Sequence, residues 1–83
     1  MTDIKQQIRD YIAQNLLFSP NGFPYADDTS FLSDGIVDST GIIDLVSFIE
    51  SEYQLTILDK EITMENFDSV DQISAYIERK IQA

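Results

Sequence analysis

Residues 35–53 read GIVDSTGIIDLVSFIESEY. After Ser39 the apolar positions Ile42, Leu45, Val46, Ile49 and Tyr53 fall at steps of three and four, while Asp44, Ser47, Glu50 and Ser51 take the other side. That period predicts an amphipathic helix over 39–53. An apolar stripe on a helix has to be buried against something, and the flanking sequence offers more helices. Upstream, Ile4, Ile8, Tyr11, Ile12 and Leu16 repeat the spacing opposite Lys5, Gln6, Arg9, Asp10 and Gln14, which predicts a helix over 3–17. Pro20 disfavours helical geometry at Ser19 and ends it near Leu17.

No period survives between Phe18 and Asp38. Phe18, Phe23, Tyr25, Phe31, Leu32, Ile36 and Val37 supply apolar anchors, so we expect an ordered loop with one helical turn near Ser30–Leu32. Downstream, Leu55–Leu58 (LTIL) has strand composition but nothing to pair with, and is expected to be an extended connection burying Leu55 and Ile57. Thr63 is placed to cap a short helix through Phe67. Ser69 and Gln72 form a capping box ahead of Val70, Ile73, Ile77 and Ile81, predicting a last helix over 70–81. The expected fold is all-α: a small antiparallel four-helix bundle, three main helices plus one short helix, with a long loop between the first two. Residues 1–83 are expected to form a single domain, complete as written.

Composition narrows the function. The 83 residues contain no cysteine and no histidine, which removes disulfides, thiolate metal sites, the commonest neutral metal ligand and the commonest general base. No window matches a calcium-binding loop of the D-x-[DN]-x-[DN]-G type, so no metal site is expected. Fifteen acidic residues against five basic ones give a net charge of -10, which repels nucleic acid and anionic membranes and favours a basic protein surface as partner. No apolar run reaches 18 residues and the N-terminus is polar every second or third residue, unlike a signal peptide or membrane span, so a cytoplasmic, monomeric protein is expected.

Ser39 invites two readings. Serine at a helix start is commonly a cap, accepting an amide hydrogen bond worth about 1 kcal/mol. The same position also suits a hydroxyl modified by another protein, because a phosphate attached there would meet the free amides and positive end of the helix, an attraction of about 0.3–2 kcal/mol. Gly41, in the first turn, either leaves room for close approach or is tolerated in a frayed turn. Asp38 adjoins the hydroxyl, but with no histidine to orient it forms no catalytic dyad.

DSTGIIDL at 38–45, preceded by TSFLSDGIV and followed by FIESEYQLTI, resembles the acyl carrier proteins and the related peptidyl carrier domains. The resemblance extends through ITMENFDSVDQISAYIERK, similar to the segment forming the short third and long fourth helices of that family. It implies a non-catalytic carrier whose Ser39 bears 4'-phosphopantetheine, donated by coenzyme A through a phosphopantetheinyl transferase. The arm would supply the only thiol, and no cysteine would compete for the thioester. By the same resemblance Asp38 meets the transferase, Asp44 and Glu50 give charge to a recognition helix, Ile43 adds an apolar contact beside the arm, and Asp34 contributes from the approach loop. Further partners implied are an acyl or aminoacyl ligase and downstream acyltransferase or synthase enzymes. Thr40 stands where fatty-acid carriers usually have leucine and Ser47 where they often have methionine, so the apolar partner strip is thinner. The D-S-T-G form is similar to that of discrete carriers loaded by a dedicated ligase. From a different class, an acidic helical adaptor of the same fold would bind partners without modification.

Overall fold

The computed structural model describes residues 3–82; the domain bounds expected at residues 1 and 83 lie outside them. Four α-helices follow in order: α1 (Ile4–Asn15), α2 (Ser39–Tyr53), α3 (Met64–Phe67) and α4 (Val70–Gln82), with a 3-10 turn over Asp59–Glu61 ahead of α3 and no strand among the described residues. This is the small helical bundle that the three-four spacing requires. One buried cluster joins the elements: Ile8 and Ile12 of α1, Leu45, Val46 and Ile49 of α2, Phe67 of α3, and Val70, Ile73, Tyr76 and Ile77 of α4. Ile57 seals it from the extended connection, whereas Leu55 is only partly buried.

α1 begins at an Asp3 cap, whose carboxylate accepts the Lys5 N–H at 3.1 Å. It ends at Asn15, two residues short of expectation, because the chain turns back before Pro20 is reached: Leu17 N–H bonds the Ile12 carbonyl at 2.9 Å and Ser19 N–H the Ala13 carbonyl at 2.7 Å. Phe18 adopts φ 52° to make that turn and is 79% exposed, so it does not pin the loop.

The loop is held by three of the expected apolar anchors, Phe31, Ile36 and Val37, and by polar bonds. Arg9 Nη1 donates to both carboxylate oxygens of Asp27 at 2.8 and 2.7 Å, and Asp27 accepts the Asp71 N–H at 3.0 Å through its carbonyl. Asp68, between α3 and α4, holds the far end: its carbonyl accepts the Phe31 N–H (2.7 Å), one carboxylate oxygen the Ser30 hydroxyl (2.5 Å) and the other the Leu32 N–H (3.0 Å). The helical turn expected near Ser30–Leu32 is present as a single turn, Asp34 N–H bonding the Ser30 carbonyl at 3.2 Å, which does not continue into a helix and is closed by Gly35 at φ 64°. Phe31, Ile36 and Val37 drop from it into the core, while Leu32 and Tyr25 face outward.

At α4 the Ser69 hydroxyl accepts the Gln72 N–H at 3.1 Å, as a cap should. The reciprocal bond is shifted by one residue, since Gln72 Oε1 accepts the Asp68 N–H at 2.9 Å. That ties the residue anchoring the loop to the start of the last helix. Thr63 precedes α3 without a side-chain cap bond, and Ile81, counted on the apolar stripe, is 53% exposed in the last turn.

Candidate functional site

The start of α2 is capped by Asp38, not Ser39. The Asp38 carboxylate accepts the Gly41 N–H at 2.8 Å, and its carbonyl takes the Ile42 N–H at 2.9 Å. Ser39 becomes the first helical residue, exposed, with its hydroxyl released from capping. Gly41 is buried, and the space left by its missing side chain is filled from within: a Cβ there would lie 2.7 Å from Val37 Cγ1. The glycine therefore lets the approach loop pack under the first turn, a third explanation beside ligand access and fraying.

Two clefts flank Ser39. One, of about 320 Å³, runs between the start of α2 and the α3 segment; Val37, Ser39, Ile42 and Ile43 form its near side and Ile62, Met64 and Phe67 its far side. Its lining is largely aliphatic and aromatic, and Leu32, Ile43 and Met64 stand 58–63% exposed at its rim. The other, of about 360 Å³, lies toward the end of α1 and includes Asn15, Leu16, Thr40, Gly41 and Asp44. The expected recognition residues are thus divided. Ile43 shares the apolar cleft with Ser39, Asp44 borders the second cleft, and Asp38 touches both. Asp34 is exposed in the approach loop.

Glu50 has an internal task. It is half-buried, and its carboxylate accepts the Ile57 N–H at 2.9 Å, fixing the extended connection against α2. Asp44 is exposed and accepts the Tyr11 hydroxyl at 2.9 Å; burial first, and then this bond, push the Tyr11 phenol up. The far wall of the apolar cleft is fastened through Glu61, which the sequence reading did not single out. One of its carboxylate oxygens receives the Leu58 N–H (3.1 Å), the Tyr76 hydroxyl (3.1 Å) and Lys80 Nζ (3.2 Å). The Leu58 amide above all holds the Glu61 carboxyl below its ordinary range, and burial, then Glu61 itself, push Tyr76 up to about 12.

Charge is sharply sorted. No lysine or arginine occurs between Arg9 and Lys60, so α2 and the loop before it carry only acids. The ion pairs among the described residues join Lys5 to Asp71, Arg9 to Asp3 and Asp27, and Lys80 to Glu61, leaving Asp38 and Asp44 outside all of them. No cluster of three or more acids poised for a metal ion is found among the described residues, and none of their helices is long and apolar enough to cross a membrane.

No family profile matches the chain. It is, however, 30% identical over 80 residues to the acyl carrier protein of Bdellovibrio bacteriovorus, an alignment covering 96% of this chain and 97% of that protein. With helices in the order that the sequence resemblance implies, and similarity running the length of both proteins, the chain belongs to the acyl carrier protein family.

Proposed function

We propose that this chain is a stand-alone carrier, not itself catalytic, that holds an acyl or aminoacyl group as a thioester and presents it to partner enzymes. Ser39 Oγ is the attachment point for 4'-phosphopantetheine, donated by coenzyme A and transferred by a phosphopantetheinyl transferase. The observation that carries this reading is the transfer of the capping task to Asp38, which leaves the Ser39 hydroxyl exposed on the first turn of a 15-residue helix. A serine serving as the cap would have its oxygen occupied by a backbone amide.

The surroundings suit the group. An anionic link at Ser39 lies at the positive end of α2, where the macrodipole favours it. When bound, the arm supplies the thiol that this cysteine-free chain lacks. The chain's own residues do the rest. Asp38 holds the first turn in shape through Gly41, Ile43 offers an apolar contact next to Ser39, and the apolar cleft gives an alkyl portion of cargo a place out of water. Asp34, Asp38 and Asp44 present unpaired negative charge to a basic docking surface on the transferase, on an acyl or aminoacyl ligase, and on a downstream acyltransferase or synthase. Glu50 adds charge through whatever its bond to Ile57 leaves free. The absence of a long apolar helix among the described residues fits work in the cytoplasm.

The test is loading. Incubated with coenzyme A and a broad-specificity transferase, the wild-type chain should gain one phosphopantetheine increment by intact mass, and Ser39→Ala none, with an unchanged helical circular dichroism signal. A wild-type chain that stays unmodified would refute the reading and leave the acidic adaptor in its place.

A further inference from the structure

Asp44 lies on the solvent side of α2, yet another element fixes it. Tyr11 reaches across from α1 and donates its hydroxyl to Asp44 Oδ1 at 2.9 Å. The same ring is stacked on Phe48, with centroids 4.1 Å apart and planes within 20°. Phe48 follows Asp44 by four residues, so both stand on one face of α2, and a single tyrosine spans the two. The stack sets where the hydroxyl points, and the hydroxyl selects the rotamer of the carboxylate.

The nature of the donor matters as much as its position. An arginine or lysine here would orient Asp44 but cancel its charge, as Arg9 does for Asp27 and Lys80 for Glu61. Tyr11 is neutral, and its raised pKa keeps the hydroxyl proton in place well above neutral pH. It therefore orients the carboxylate while leaving the full negative charge and the Oδ2 oxygen available. With no cation between Arg9 and Lys60, nothing else in this part of the chain competes for that oxygen.

We propose that Tyr11 is a positioning residue for partner recognition, presetting the Asp44 carboxylate for a lysine or arginine on the basic surface of the phosphopantetheinyl transferase. The proposal rests on the carrier reading above and adds to it a residue of α1 remote in sequence from Ser39. Its effect is entropic. A side chain already held in its bound rotamer loses less freedom on docking, and one such side chain changes affinity by about two- to tenfold.

Steady-state transfer from coenzyme A by a broad-specificity transferase, measured on the wild-type chain, Tyr11→Phe, Asp44→Asn and the double variant, decides it. Tyr11→Phe keeps the ring on Phe48 and removes only the hydroxyl. It should raise the KM for the carrier about two- to tenfold with kcat unchanged. Asp44→Asn should raise KM at least as far, and adding Tyr11→Phe to it should have no further effect. An unchanged KM in Tyr11→Phe, with or without a lowered melting temperature, would reduce the tyrosine to a tie between helices and overturn the proposal. So would a full Tyr11→Phe effect in the Asp44→Asn background. Loading of the wild type with a normal KM separates these failures from failure of the carrier reading, in which no chain would be loaded and this proposal would fall with it.

Discussion

Gly41→Ala should destabilise this protein, against the usual trend for glycine in helices. Replacing a helical glycine by alanine ordinarily gains about 0.5–1 kcal/mol, because glycine has more backbone freedom to lose on folding. At this position the new Cβ would stand 2.7 Å from Val37 Cγ1, 3.4 Å from Asp38 Oδ1 and 3.6 Å from Leu16 Cδ1. Val37 is 6% exposed and β-branched, so its methyl has no easy rotamer to move into. Forcing an extra methyl into a packed site costs about 1–3 kcal/mol. The difference is a net loss of about 1 kcal/mol, which for a domain of this size lowers the melting temperature by about 4–8 °C. Thermal unfolding followed by circular dichroism reads this directly. In a Val37→Ala background, where the clashing methyl is gone, Gly41→Ala should become neutral or stabilising, since the two sites couple through contact. A melting temperature that stays level or rises on Gly41→Ala alone would show that Val37 does not need the glycine.

Two other perturbations test the surroundings of the site. Phe18 is held at φ 52° with its ring 79% exposed, so Phe18→Gly relieves a left-handed backbone at little loss of packing; after glycine's own entropy is charged, the melting temperature should rise by about 3–6 °C. An unchanged or lower value would mean that the ring contributes contacts beyond those visible. Glu61 has its carboxyl held below the ordinary value, so its contribution to stability is present above pH 4.5 and is lost as pH falls through the lowered folded value. Glu61→Gln should therefore melt lower than wild type at neutral pH and converge on it in acid; two parallel curves of melting temperature against pH would contradict that linkage.

What could be read from the sequence and what could not divides along the range of the interactions. The helix over 39–53 has the expected bounds because Ser39 follows the non-helical Asp38 and the apolar period runs unbroken to Tyr53. The last helix was equally visible, through the Ser69 cap and the run from Val70 to Ile77. The sequence places the end of α1 too late because the period runs to Leu16 and Pro20 stops it only near Leu17, whereas the chain closes on Ile12 and Ala13 through a left-handed Phe18 that no propensity rule favours. The sequence leaves Ser39 open between a cap and a free hydroxyl, and the structure gives the cap to Asp38; both residue types are good caps, and only the register of the first turn separates them. Other residues that shape the site have no local signature. Asp68 meets Ser30 across 38 positions, Tyr11 meets Asp44 across 33, and Glu61 meets Lys80 across 19. Such pairs become neighbours only after the bundle has formed, so spacing rules built on helices and turns do not register them.

The claim on which the account depends is chemical and local: one hydroxyl, freed from capping, is the place where the carrier arm is joined. Peptide-level mass mapping of the chain purified from its own host tests it most directly. The account predicts the phosphopantetheine increment on the peptide containing Asp38–Thr40, with fragment ions assigning it to Ser39. The same peptide recovered only unmodified, or an increment assigned to Thr40 or Ser30, would contradict it.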